Sequence, residues 1–110
     1  MTGVQTCALP ICGCICPGIK LTSEALVSGT AKLPHFELLM PEKVIGRTTV
    51  ANLQSGVING YVGQVIYLVN EMRREMGCPG AKVIATGGMA RLIAAKVRRV
   101  VASVRLMKRR

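Results

Sequence analysis

The run Lys82-Val83-Ile84-Ala85-Thr86-Gly87-Gly88 ends an apolar stretch in a glycine pair and leads into Met89-Ala90-Arg91-Leu92-Ile93. A buried strand that closes in Thr-Gly-Gly and opens a helix lets a ligand approach the backbone with no side chain in the way, and the helix start presents free N–H groups. Taken alone, such a triplet reads first as a tight turn. A second polar pair, Thr48-Thr49, stands at the head of a long periodic stretch. There a hydroxyl either caps a helix or donates to a polar ligand. Cys7, Cys12, Cys14 and Cys16 form a third group in a chain with only Cys78 besides. Their C-x4-C-x-C-x-C spacing departs from the C-x2-C pairs of structural zinc sites, and alternate strand residues point one way without wrapping an ion. Cys14 and Cys16 therefore read as small core residues of a strand. The sole histidine, His35, has no nucleophile or carboxylate motif beside it and reads as a surface side chain. No catalytic and no metal-ligating residue is assigned.

Those groups need elements to hold them. Cys14-Ile15-Cys16-Pro17-Gly18-Ile19 reads as the end of a buried strand, turned out by Pro17 and Gly18. A helix follows, capped by Thr22 or Ser23, with Leu21, Ala25, Leu26 and Leu33 as apolar positions and Pro34 as its stop. Residues 35–40 are a short strand or an extended link limited by Pro41. Over residues 48–76, Val50, Leu53, Val57, Tyr61, Val65, Leu68, Val69, Met72 and Met76 recur at helical steps. Thr48 or Thr49 is the N-cap there, and Gly77 the C-cap before Pro79. Gly56, Gly60 and Gly63 share one side of this helix. Each costs about 1 kcal/mol relative to alanine, which points to another backbone lying close. A buried strand from Ala81, followed immediately by the pair Gly87-Gly88, and a helix from Met89 complete an α/β layout.

Composition narrows the chemistry. At 110 residues, half of them apolar, the chain has room for one small domain with an aliphatic core, since Phe36, Tyr61 and Tyr67 are its only aromatics. It contains no aspartate: the acids are Glu24, Glu37, Glu42, Glu71 and Glu75. Hydrolytic and phosphoryl-transfer sites rely on carboxylates to hold a metal or take a proton. The net charge of +10 resides mostly in residues 96–110, which hold Lys96, Arg98, Arg99, Arg105, Lys108, Arg109 and Arg110 and no acid. The rest carries only +3. The uncharged residues 48–70 include Asn52, Gln54, Ser55, Asn59, Gln64 and Asn70. That is too polar for a lipid-facing span of roughly 20 apolar residues, and the expectation is a soluble, cytoplasmic chain with no membrane partner.

Three blocks, beginning at Cys14-Ile15-Cys16, at Pro41-Glu42-Lys43 and at Lys82-Val83, resemble the C-terminal part of type III pantothenate kinase over about residues 13–94. The likeness lies at Pro17-Gly18-Ile19, Glu24-Ala25-Leu26, residues 31–34, Ile45-Gly46, Thr49-Val50, Gln54-Ser55-Gly56, residues 60–63 and Ala85-Thr86-Gly87-Gly88. The resemblance implies a partial ribonuclease H-like domain of the actin-like ATPase kind, with an incomplete sheet and the long helix near 48–76. It implies ATP-dependent phosphorylation of pantothenate to 4'-phosphopantothenate, the first step towards coenzyme A, with Mg2+ and a monovalent cation, K+ or NH4+, and a homodimer. It also implies pantothenate contact at Thr49 and a nucleotide beside Thr86, Gly87 and Gly88. The aspartates that the family uses for phosphate, general base and cation have no counterpart here, so this chain is expected to be inactive by itself.

The ends depart from the family. Residues 1–11 look like the conceptual translation of a common sequencing adapter, with Cys12 at the junction, so 1–12 is expected to be a non-native leader. The basic tail, 95–110, is expected to be frame-shifted or non-native. The alternative function is a small basic protein that binds nucleic acid through that tail.

Overall fold

The computed structural model describes residues 13–29 and 32–107; the expected leader over 1–12 and the basic residues 108–110 lie outside them. Residues 13–18 form no strand. Ile15 is 96% exposed and Cys14 lies at the surface, which overturns the expected buried strand end. A strand needs a neighbour to take its N–H and C=O groups, and no described segment pairs with this one.

Helix α1 (Ile19–Ser28) begins earlier than its sequence signals suggest. Gly18 is its N-cap, and the Thr22 N–H donates to the Gly18 carbonyl at 3.0 Å. Ser23 is not a cap: it is buried within the helix, and its hydroxyl donates to the Lys20 carbonyl at 2.8 Å. Ile19 and Ser23, one turn apart, face inward, whereas Leu21 is exposed. The helix stops at Gly29, short of Pro34. Residues 35–40 are an extended link that lays Phe36, Leu38 and Met40 on the core, tied down by Gln54 Nε2 donating to the Glu37 carbonyl at 3.1 Å.

The long periodic stretch folds as expected, with one interruption. It comprises α2 (Thr49–Gln54), a π-helical turn (Ser55–Asn59) and α3 (Gly60–Met76). The π turn inserts a residue, which rotates everything after it by about 100° relative to a regular helix. The buried face therefore widens from Leu53 through Val57 to Ile58 and Val62, and Ile58 is wholly buried. Gly77 ends α3 with φ +68°, a left-handed conformation that glycine adopts without steric cost. Its N–H bonds to the Arg74 carbonyl at 3.1 Å and that of Cys78 to the Arg73 carbonyl at 3.0 Å, the paired bonds of a Schellman cap.

Strand β1 (Val83–Ala85), helix α4 (Ala90–Arg98) and strand β2 (Val104–Leu106) form a β-α-β unit. The strands are parallel, with Val83 opposite Val104, Ile84 opposite Arg105 and Ala85 opposite Leu106. Parallel pairing requires a crossover, and α4 supplies it. β2 falls where the sequence showed only basic residues; Val97, Val101 and Val104 are nonetheless buried. They join Ile19, Val57, Ile58, Val62 and Ile93 in one aliphatic core. Arg73 clasps the sheet to α3, its guanidinium donating to the carbonyls of Ala81 at 2.5 and 3.1 Å and of Ala102 at 2.7 Å. The described residues thus form an α/β arrangement of helices against a small parallel sheet.

Candidate functional site

Thr48 and Thr49 divide two tasks that the sequence left open between them. Thr48 is the N-cap: its backbone is extended, and its Oγ1 accepts from the Ala51 N–H at 3.1 Å. Thr49 is then the first helical residue, its side chain exposed to solvent. A hydroxyl relieved of capping can donate to or accept from an external polar group.

The loop before these threonines is pressed onto the helix start. A Cβ at Gly46 would lie 2.3 Å from Asn52 Oδ1, 2.7 Å from Asn52 N and 2.8 Å from the Ala51 carbonyl carbon. Backbone this close tolerates only glycine. The Ser55 hydroxyl, buried in the π turn, donates to the Val44 carbonyl in the same loop. Asn59 Nδ2 donates to Ser55 Oγ at 3.1 Å, and Lys96 Nζ, reaching across from α4, donates to Asn59 Oδ1 at 2.9 Å. Val44, Gly46, Asn52, Ser55, Gly56, Asn59 and Gly60 line an open depression of about 460 Å³ beside this relay.

Thr86, Gly87 and Gly88 form the turn between β1 and α4, and all are exposed. Gly87 takes φ +102°, and no atom lies within 4 Å of where a Cβ on Gly87 or Gly88 would stand. The backbone here is open to an approaching planar group. No side chain caps α4, whose N-cap is Met89. Thr49 and the turn stand on different elements, and the polar connection between those elements passes through Lys96, Asn59 and Ser55. Those three were not among the sequence's candidates. The spacing of Ser55 and Asn59, one helical turn apart, was a local signal, but their partner Lys96 is distant in sequence.

Three further groups settle simply. His35 is exposed. Gly56, Gly60 and Gly63 have nothing within 4 Å of their Cβ positions, so the backbone expected beside them is not found among the described residues. Among the described residues, no three histidine, cysteine or acidic side chains come together where they could hold a metal ion. No helix among the described residues is long and apolar enough to cross a membrane.

Residues 10–71 match the family described as type III pantothenate kinase. Among curated proteins, the chain is similar to a type III pantothenate kinase of Myxococcus xanthus (strain DK1622), with 49% identity over 84 residues. The aligned region is 76% of this chain and spans 32% of that relative's length.

Proposed function

The chain belongs to the type III pantothenate kinase family, and we propose that it supplies the substrate-side helix start and the nucleotide-side turn of an ATP-dependent kinase acting on pantothenate. The observation that carries this reading is the division between Thr48 and Thr49. Because Thr48 does the capping, Thr49 is left to hydrogen-bond pantothenate, the role implied by its place in the family motif. The open backbone at Gly87 and Gly88 would admit the nucleotide with no side chain to displace. The finer fold, part of an actin-like ribonuclease H-like domain, and a cytoplasmic location belong to the same proposal. So does a homodimer, for which the uncovered Gly56, Gly60 and Gly63 offer a close-packing face.

Phosphoryl transfer is positioning plus charge stabilisation, and it draws on carboxylates for metal and base. This chain has no aspartate to supply those parts. The Mg2+ and K+ or NH4+ of the family would then be held by residues this chain does not contain. These 110 residues are accordingly expected to bind without turning over.

Titration of the 15N-labelled chain with pantothenate should shift the Thr48 and Thr49 amides, and Thr49→Ala should weaken binding about tenfold, the value of one lost hydrogen bond. A coupled assay for ADP should find no pantothenate-dependent turnover. Turnover by the purified chain, or pantothenate shifts that ignore Thr49→Ala, would overturn the reading.

A further inference from the structure

The Lys96 relay has a fixed direction. An ammonium only donates and a backbone carbonyl only accepts, so the hydrogen bonds must run from Lys96 Nζ to Asn59 Oδ1, from Asn59 Nδ2 to Ser55 Oγ, and from Ser55 to the Val44 carbonyl. Each member can satisfy its neighbour in one arrangement alone, and the charged end polarises the chain of bonds. Its two ends have different locations. Lys96 stands on α4, the helix that opens directly from the Thr86-Gly87-Gly88 turn. Val44 stands two residues before Gly46, where the loop lies against the backbone of Ala51 and Asn52 with no room for a side chain between them. Ala51 is in turn the residue whose N–H the Thr48 cap receives.

We infer that Lys96, Asn59 and Ser55 are positioning residues that couple the Thr86-Gly87-Gly88 turn to the Thr48-Thr49 helix start, so that occupation of one sets the geometry of the other. The π turn makes this possible. By placing Ile58 inward, it holds Ser55 buried towards the loop and leaves Asn59 only half-buried, within reach of α4. The naming of one end as nucleotide-side and the other as substrate-side rests on the proposed function; the mechanical link does not.

Amide shifts and hydrogen exchange of the full chain test the link without any ligand. Lys96→Met should move the amides of residues 44–49 and speed exchange of the Ala51 N–H about fivefold, the loss of part of one hydrogen bond. Lys96→Arg, which keeps a donor, should restore both. Arg99→Met, which removes an exposed charge just beyond α4, should leave both unchanged. Ser55→Ala should produce the reciprocal shifts at Ile93 to Val97, and the double variant Ser55→Ala with Lys96→Met should add nothing to either alone. Should Lys96→Met not fold, the shifts of Ser55→Ala at α4 decide the matter. Shifts confined to the mutated helix, or additive effects in the double variant, would overturn the coupling. Added ADP then reads the functional half: it should move the Thr48 and Thr49 amides in the parent chain and not in Ser55→Ala. If ADP leaves the parent amides unmoved while the ligand-free coupling holds, the functional reading fails and the mechanical link stands.

Discussion

Cys14 and Cys16 lie side by side on a segment that the core does not cover. Local desolvation first, then the charge and hydrogen bond of the Cys16 thiol, push the Cys14 thiol above its ordinary pKa. The sign follows: a raised value favours the protonated thiol, so the contribution of this pairing to the folded state is present below the ordinary thiol value and fades as pH rises through the raised one. Alkylation needs the thiolate. The rate at which iodoacetamide modifies Cys14, followed by peptide mass spectrometry across pH, should therefore have its midpoint above that of an ordinary thiol. Cys16→Ser should bring the midpoint part of the way down, because desolvation remains. A midpoint at or below the ordinary value would contradict the pairing. The same pair shows how residue identity misleads when read without its partner strand. An apolar run with alternating cysteines is a reasonable strand, yet its burial depends wholly on what packs beside it.

Among the elements, the π turn decides which residues the long helix buries. A regular helix would bury the single stripe Leu53, Val57, Tyr61, Val65; the extra residue brings Ile58 and Val62 inward beside Val57 and leaves Tyr61 and Val65 only half-buried against the core. Ile58→Ala should cost about 2–5 kcal/mol in thermal or denaturant unfolding, since it empties a fully enclosed site. Val50→Ala, at the exposed start of the same sequence stripe, should cost far less. Equal losses would mean that the stripe runs unbroken. The helix as a whole was legible because its signals are local: Thr48 bonds within its own first turn, and Gly77 takes its left-handed angle where the helix stops. The π turn was not legible, since hydrophobic spacing fits either face until the packing of α4 selects one. β2 was hidden for a related reason. Its three residues have no pattern of their own and become a strand only by pairing with Val83, Ile84 and Ala85 across the α4 crossover.

At the scale of the molecule, the described residues present two features that call for company. The parallel sheet has two strands, and Ile84 on it is 60% exposed, whereas parallel sheets are ordinarily covered on both faces. The glycine face of Gly56, Gly60 and Gly63 is equally bare. If that face joins two copies, sedimentation should show association that strengthens with concentration. Gly60→Leu should abolish it without lowering the melting temperature, because no atom of the described residues lies within 4 Å of where its Cβ would stand. Association unchanged by Gly60→Leu would place the contact elsewhere. The candidate site was legible only in its outline. Thr49 and Thr86, Gly87 and Gly88 came from family motifs, while Lys96 lay hidden in a charge run whose other members, such as Arg99 and Arg105, point to solvent. What distinguishes Lys96 is its contact with a residue on another helix, which no reading along the chain can supply.

The relay also bears on how the chain ages. Asn59 is followed by Gly60, the neighbour that least obstructs attack of a backbone nitrogen on an asparagine amide, the ring closure that expels ammonia and gives a cyclic imide, which water then opens to an acid. In this fold the Gly60 N–H is committed to the carbonyls of Gly56 and Val57, and the Asn59 amide is gripped at both ends, by Lys96 and by Ser55. The same bonds that hold the loop in register keep the attacking nitrogen and its target apart. Where they open, the amide becomes a carboxylate that can no longer donate to Ser55, and a transient loosening is turned into a permanent chemical record.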